Sequence, residues 1–310
     1  MKGADAAAVA DTVLRLAVLL QAGVAPARAW GHLAEAGDPH ALSVHRALEH
    51  AASPAAAIAA AGETPPEPRR RFARRHPSAS GAARAWRDVA AAWTIATTVG
   101  APLAETLRGL AVALRDAQEA ADDVRVALAE PTGTAKLMAW LPLVAVVLGV
   151  ALGFDTVATL ATNPFGIGCL VAGVVLMVIA HRWSGALVRA AGGADGIPGL
   201  DADLLAIALS GGVSIERGRR LVERASGEPT AATTEGILAL SASAGVPAVE
   251  LLRASAALAR HRARVEGRLR SARLSMRLLL PLGVCTLPAF LLLGVAPMLL
   301  SVGSALPLSL

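Results

Sequence analysis

Residues 137–160 read LMAWLPLVAVVLGVALGFDTVATL, and this run decides the architecture. Its uncharged part, up to Phe154, is about long enough to cross ~30 Å of hydrocarbon at ~1.5 Å per residue, and Asp155 then marks the far interface. After the turn ATNPFG at 161–166 a second apolar run, 165–179, is extended by Ala180 and His181 and returns to Arg182 and Trp183. The connection is too short for a domain, so 137–181 is predicted to be a transmembrane hairpin with spans at 137–160 and 165–181. Trp140 and Trp183 then fall at one headgroup level, where an amphipathic ring is favoured. A third run, 278–300, contains Pro281, Pro288 and Pro297, which predict a kinked span over 277–302 followed by the tail 303–310. A re-entrant break at Pro288 is the alternative. Gly149 and Gly153 stand in GxxxG spacing, which is either a close-packing face or chance in a Gly-rich span.

The cations divide the chain in the same way. All 29 Lys and Arg lie in 1–136 and 182–277, and none falls in 137–181 or 278–310. Because Lys and Arg accumulate on the cytoplasmic side of short membrane-flanking segments, both basic blocks are expected in the cytoplasm, with the N-terminus inside. The first block holds 15 cations and 14 anions and the second 14 and 9, so the net charge of +5 is concentrated in the second. Such a surface suits an anionic leaflet or an acidic protein. Nucleic acid is excluded as a partner, since with no Tyr and four Phe there is no stacking pattern, and no binding motif occurs.

With 55% apolar residues and a mean hydropathy of +0.54, the chain is not read as a soluble globule. Cys169 and Cys285 lie inside apolar runs and suggest neither a disulfide nor a metal. Residues 1–30 are amphipathic rather than a signal peptide, so insertion is assigned to the internal spans.

The basic blocks carry helical periodicity: Val9, Val13, Leu16 and Leu20 share one face, as do Leu103, Leu107, Leu110 and Leu114. No alternating strand pattern appears, and abundant Ala favours helix. The blocks also repeat each other. LAVLLQAGVAPARAW at 16–30 aligns without a gap to LAIALSGGVSIERGR at 205–219, matching Gly23 with Gly212 and Arg28 with Arg217. Each reads as a helix stopped at Gly and a second helix begun at Pro26 or capped by Ser214. Downstream, VGAPLAETLRGLAVALR at 99–115 aligns to AGVPAVELLRASAALAR at 244–260. Here Gly100 matches Gly245, Pro102 Pro247, Glu105 Glu250, Arg108 Arg253 and Arg115 Arg260. This is a Gly stop, a Pro in the first turn and a carboxylate where the helix dipole favours negative charge, with an Arg three residues on within ion-pair reach. Glu105 and Glu250 either stabilise helix starts or form a partner-contact surface.

The fold class is therefore all-α, an integral membrane protein with two cytoplasmic antiparallel helix-bundle repeats (1–136 and 182–276) and three transmembrane helices. In the first copy GETPPEPRRRFARRHPSASG interrupts the pattern, and 62–82 is read as a flexible Pro/Arg-rich loop. The alternative for it is a basic patch made by Arg69, Arg70, Arg71, Arg74 and Arg75 that meets lipid headgroups or a partner.

Two helical repeats with the Gly-x-Pro turn, a hairpin after the first and one span after the second resemble the type II secretion system F family. The terminal stretch SARLSMRLLLPLGVCTLPAFLLLGVAPMLL is similar to the last span of the platform proteins of tight-adherence (Tad, or Flp) pilus assembly, and ALAEPTGTAKLMAWLPLV at 127–144 is similar to their domain-to-membrane junction. The resemblance implies a multi-pass platform in a bacterial inner membrane, without chemistry or cofactor, that couples a hexameric secretion ATPase to extrusion of prepilin or pilin subunits. It implies assembly with itself or with a second platform protein. It also places Gly23, Gly100, Pro102, Glu105, Gly212, Gly245, Pro247 and Glu250 on the family's turn and helix-start pattern.

No catalytic signature in the sequence competes with this reading. Lys occurs only at positions 2 and 136, so no phosphate loop can be built, and HExxH, GxSxG and CxxC are absent. An intramembrane protease needs paired reactive groups at membrane depth, and the spans offer little beyond Asp155 and His181. A small transporter or channel subunit is the alternative function, but it would need polar groups along a midplane path.

Overall fold

Proline and alanine set the helix pattern. Five of the described helices begin at Pro, whose missing N–H is one of the unpaired donors of a first turn in any case. The computed structural model describes residues 4–50, 53–63, 77–151, 164–190, 196–296 and 299. Among them all regular structure is helical: α1 (Ala4–Gln21), α2 (Pro26–Glu35), α3 (Pro39–Leu48), α4 (Pro54–Glu63), α5 (Pro77–Val99), α6 (Leu103–Ala151), α7 (Pro164–Ala190), α8 (Leu200–Ser210), α9 (Ile215–Ser226), α10 (Ala232–Ala244) and α11 (Ala248–Pro281). The chain divides into two compact units, one of residues 1–122 with 194–266 and one of 123–193 with 267–310.

In the first unit both basic blocks share one hydrophobic core. Val9, Val13 and Leu16 of α1 and Leu107, Leu110 and Leu114 of α6 are buried, as their spacing predicts, together with Leu204, Leu205 and Leu252 of the second block. Helix α5 lies centrally, packed against α1, α4, α8 and α9. Its Trp86 and Trp93 meet Trp30 of α2 with ring centroids 6.2 and 6.5 Å apart. Each such side chain buried on all sides contributes on the order of 2–3 kcal/mol, and the periodicity of the leucines did not announce this tryptophan cluster. Asp38 ties α3 in place: its carboxylate accepts the N–H groups of His40 and Ala41 at 2.9 and 3.1 Å and the hydroxyl of Thr12 on α1 at 2.7 Å.

In the second unit α7 packs against the continuation of α11. That continuation is a π-helical segment Leu282–Thr286, an α turn Leu287–Phe290 and a second π segment Leu291–Val295. A proline ring clashes with the carbonyl four residues before it. For Pro288 that carbonyl belongs to Val284, inside the first π segment, and the sequence puts Pro297 four residues beyond Leu293, inside the second. The wide turn makes room for the ring, so the helix passes Pro288 without breaking. Gly173 of α7 lets Leu293 sit against its backbone, where an added Cβ would come within 2.5 Å of Leu293 Cγ.

Two described helices are long and apolar enough to cross a membrane, Pro164–Leu187 and Ala248–Val295. Of the expected first span only the part to Ala151 is described. It is the end of α6, which runs unbroken from Leu103 through Pro131 and Pro142. Asp155, Gly153 and the tail 303–310 lie outside the described residues. The expected loop 62–82 is corrected at both ends, because α4 reaches Glu63 and α5 starts at Pro77. Proline at the first position followed by Ala-rich sequence begins a helix there. The candidate patch Arg69, Arg70, Arg71, Arg74 and Arg75 lies outside the described residues.

Candidate functional site

The four turns picked out by the repeat have one backbone conformation. Gly23, Gly100, Gly212 and Gly245 have φ of 87, 73, 79 and 67°. An added Cβ at any of them would meet nothing within 4 Å, so the left-handed conformation rather than packing demands glycine. The N–H of Val24 donates to the Leu19 carbonyl at 3.1 Å and that of Ala101 to Ala96 at 2.9 Å, which closes the helix ends in the six-to-one pattern. Gly245 closes α10 more simply, its N–H donating to Ser241 at 3.0 Å. The next helices begin as expected: Pro26 opens α2, and the Ser214 hydroxyl accepts the N–H of Arg217 at 3.4 Å.

Three contacts gather these turns at one end of the first unit, where α6 and α11 start. The Arg108 guanidinium donates to the side-chain carbonyl of Gln21, joining the Gly23 turn to α6. Gly211 sits so close to Val99 that a Cβ would lie 2.4 Å from its Cγ2 and 2.6 Å from its carbonyl oxygen, joining the Gly212 turn to the Gly100 turn. Arg253 joins Gly100 to Gly245, pairing with Glu105 at 3.5 Å and Glu250 at 3.6 Å. The expected Glu250–Arg253 pair thus forms. Glu105, by contrast, reaches across to the arginine of the other matched segment, and Arg108 turns to Gln21.

Glu105, Glu250 and Arg253 are exposed, with side-chain accessibilities of 68, 72 and 47%. Exposed pairs of this kind contribute less than about 1 kcal/mol to folding. The cluster is therefore cheap to rearrange, and its two carboxylates held by one guanidinium leave acceptor positions open to an external basic group. Among the described residues no group of three or more His, Cys, Asp or Glu side chains is placed to hold a metal ion.

Behind this end a less exposed charge ladder joins α6 and α11. Arg260 pairs with Asp203 of α8 at 2.5 Å and with Asp116 of α6 at 3.5 Å, and Arg264 pairs with Asp116 at 3.3 Å and Glu119 at 3.7 Å. Burial raises the Asp203 carboxyl above its ordinary range, and the charge of Arg260 works against that rise. The matched arginine of the first block behaves alike, Arg115 pairing with Asp11 of α1 at 3.2 Å. In the second unit Arg268 pairs with Asp123 at 2.8 Å. The sequence did carry a signal for this ladder: Glu119 with Arg264 and Asp123 with Arg268 stand 145 residues apart, as Gly100 and Gly245 do, with opposite charges at matched positions. Those pairs make α6 and α11 neighbours that run parallel and in register.

Residues 12–151, just under half of the chain, match the family model described as Type II secretion system (T2SS), protein F. The matched segment runs from α1 to the end of α6 and contains the Gly23 and Gly100 turns, Pro102 and Glu105. No curated protein and no solved structure matches the chain.

Proposed function

We propose that the chain is an inner-membrane platform protein of a type II secretion or pilus assembly machine, more narrowly of the tight-adherence type. On this reading it has two copies of the family's helical domain, three spans, a cytoplasmic N-terminus and no catalytic activity of its own. The observation that carries the proposal is the family match over 12–151, which runs from within α1 to the apolar end of α6. The second copy follows from the matched turns, and the membrane location is supported by two apolar helices.

Coupling to a hexameric secretion ATPase is assigned to the glycine-turn end with its exposed Glu105, Arg253 and Glu250. From there α6 and α11 each run without a break into apolar sequence, and a helix carries displacement along its axis because every backbone bond is made within it. A motor stroke at the turns would pass down both helices to the prepilin or pilin subunits held at the membrane.

The test is a helix-breaking Gly-Pro pair at Ala263–Arg264 in the native host. Membrane insertion at the wild-type level together with lost filament or secretion output is expected. Unchanged output would refute the coupling, and a chain that never enters the membrane would refute the platform reading. A small transporter or channel subunit would instead show as altered solute flux with output intact.

A further inference from the structure

We propose that a second copy of the chain docks on helix α10, repeating between molecules the joint that α5 makes with α8 inside one molecule. The internal joint is defined at both ends. Arg84 of α5 donates to Glu228, just past α9, at 3.3 Å, and Val99 of α5 meets Gly211 just past α8. Between these anchors Ile95 is 1% exposed on the α5 side and Leu204 1% exposed on the α8 side. Helix α5 packs against α8, and on α8 the buried Leu204, the partly buried Ile207 and Gly211 form one stripe at helical spacing.

Each half of this joint recurs open elsewhere in the first unit. The counterpart of the α5 face is the α10 face, with Leu240 at the Ile95 position and Ala244 at the Val99 position, and Leu240 is 54% exposed. The counterpart of the α8 stripe is Arg15, Val18 and Ala22 of α1, and Val18 is 51% exposed. Were the two copies related by a two-fold axis, α10 would cover the α1 stripe just as α5 covers the α8 stripe, and both halves would be used. They are not, so the joint is heterologous, a head-to-tail contact with one unfilled half at each end of the molecule. A second molecule brings the complementary half that the first lacks. Parallel, in-register α6 and α11 place the relating axis along those helices, so repeating the operation keeps every copy of them parallel, as chains sharing one bilayer require. Arg15 in place of Leu204 makes the intermolecular joint less apolar than the internal one, and hence weaker and reversible. The inference uses the pairing of the two copies and is independent of coupling to any motor.

The test is disulfide trapping of the full chain in its membrane. In a Cys169→Ala, Cys285→Ala background, V18C and L240C are placed on separate chains carrying different tags and co-expressed, and each is also expressed alone. Membrane level and maleimide labelling of each single variant establish that both chains fold with the new thiol exposed. On mild oxidation a mixed dimer carrying both tags is expected, in clear excess over either homodimer. Homodimers of V18C or L240C in equal yield would show a two-fold contact and overturn the proposal. Labelled, membrane-inserted chains that trap only a different protein, or nothing, would overturn it as well. Leu240→Glu, read by the loss of cross-linking between cysteines at the exposed positions 22 and 244 on separate chains, supplies the second readout.

Discussion

At the scale of single residues, the positions that carry most consequence are those where a neighbour leaves no choice. Gly211 is one, since a side chain there meets the Val99 carbonyl, which cannot rotate away. Gly211→Val is expected to lower stability by about 1–3 kcal/mol through overpacking, measured as a fall in the thermal unfolding midpoint in detergent, whereas Gly109→Ala, facing open space, should not. Asp88 of α5 is another. Burial pushes its carboxyl up to about 6 from 3.8, with Arg84 and Arg87 opposing the rise and Glu228 adding to it. Because the folded carboxyl holds its proton at higher pH than the unfolded one, its ionisation costs stability. That cost is fully present above about pH 6 and is gone below pH 3.8. Asp88→Asn should therefore stabilise the protein at pH 7 by on the order of 2–3 kcal/mol and flatten the part of the denaturation-midpoint profile between pH 4 and pH 6. An identical profile for wild type and variant would refute this. The glycine turns were legible as residues because left-handed backbone selects glycine. Asp88 was not, because a carboxyl's burial depends on which helices surround it.

At the scale of elements, helix starts and stops follow local chemistry closely, and the π segments show where it stops being enough. Three prolines in one apolar run announce a disturbance. Whether the helix breaks, kinks or widens depends on whether its freed carbonyls and displaced side chains find room, and here α7 supplies it at Gly173. Two substitutions test the link. Gly173→Leu should destabilise the pairing of the two helices by about 1–3 kcal/mol in the wild type. Pro288→Ala should let the first wide turn relax to an α turn and swing Leu293 around the helix, so that Gly173→Leu costs less in that background. Equal costs in both backgrounds, by thermal unfolding in detergent, would rule out the proline as the cause of the wide turn. The start of α5 at Pro77 is the converse case. An Arg- and Pro-rich stretch reads as loop over its whole length, yet its last residues have the composition of a helix start and are drawn into α5, whose tryptophans fasten it to α2 and α4.

For the whole molecule, the arginine ladder decides how the two basic blocks are held. Arg260 is the junction, with a side-chain exposure of 15% between Asp203 of its own block and Asp116 of the other. Arg260→Ala leaves Asp203 without its partner and should cost about 3 kcal/mol, with partial rescue by Asp203→Asn, since a neutral amide tolerates the half-buried site. Additive losses in the double-mutant cycle would show that the pair is not coupled. The sequence by itself determined the helical class, the apolar stretches and the glycine turns, because these rest on periodicity, hydropathy and backbone conformation, which act within a few residues. Only the tertiary structure decided that both basic blocks share one core, that Glu105 reaches Arg253 rather than Arg108, and that α5 is enclosed while its counterpart α10 lies open. Those outcomes depend on which distant surfaces meet, and a helix pattern specifies that a face must be covered without specifying by what.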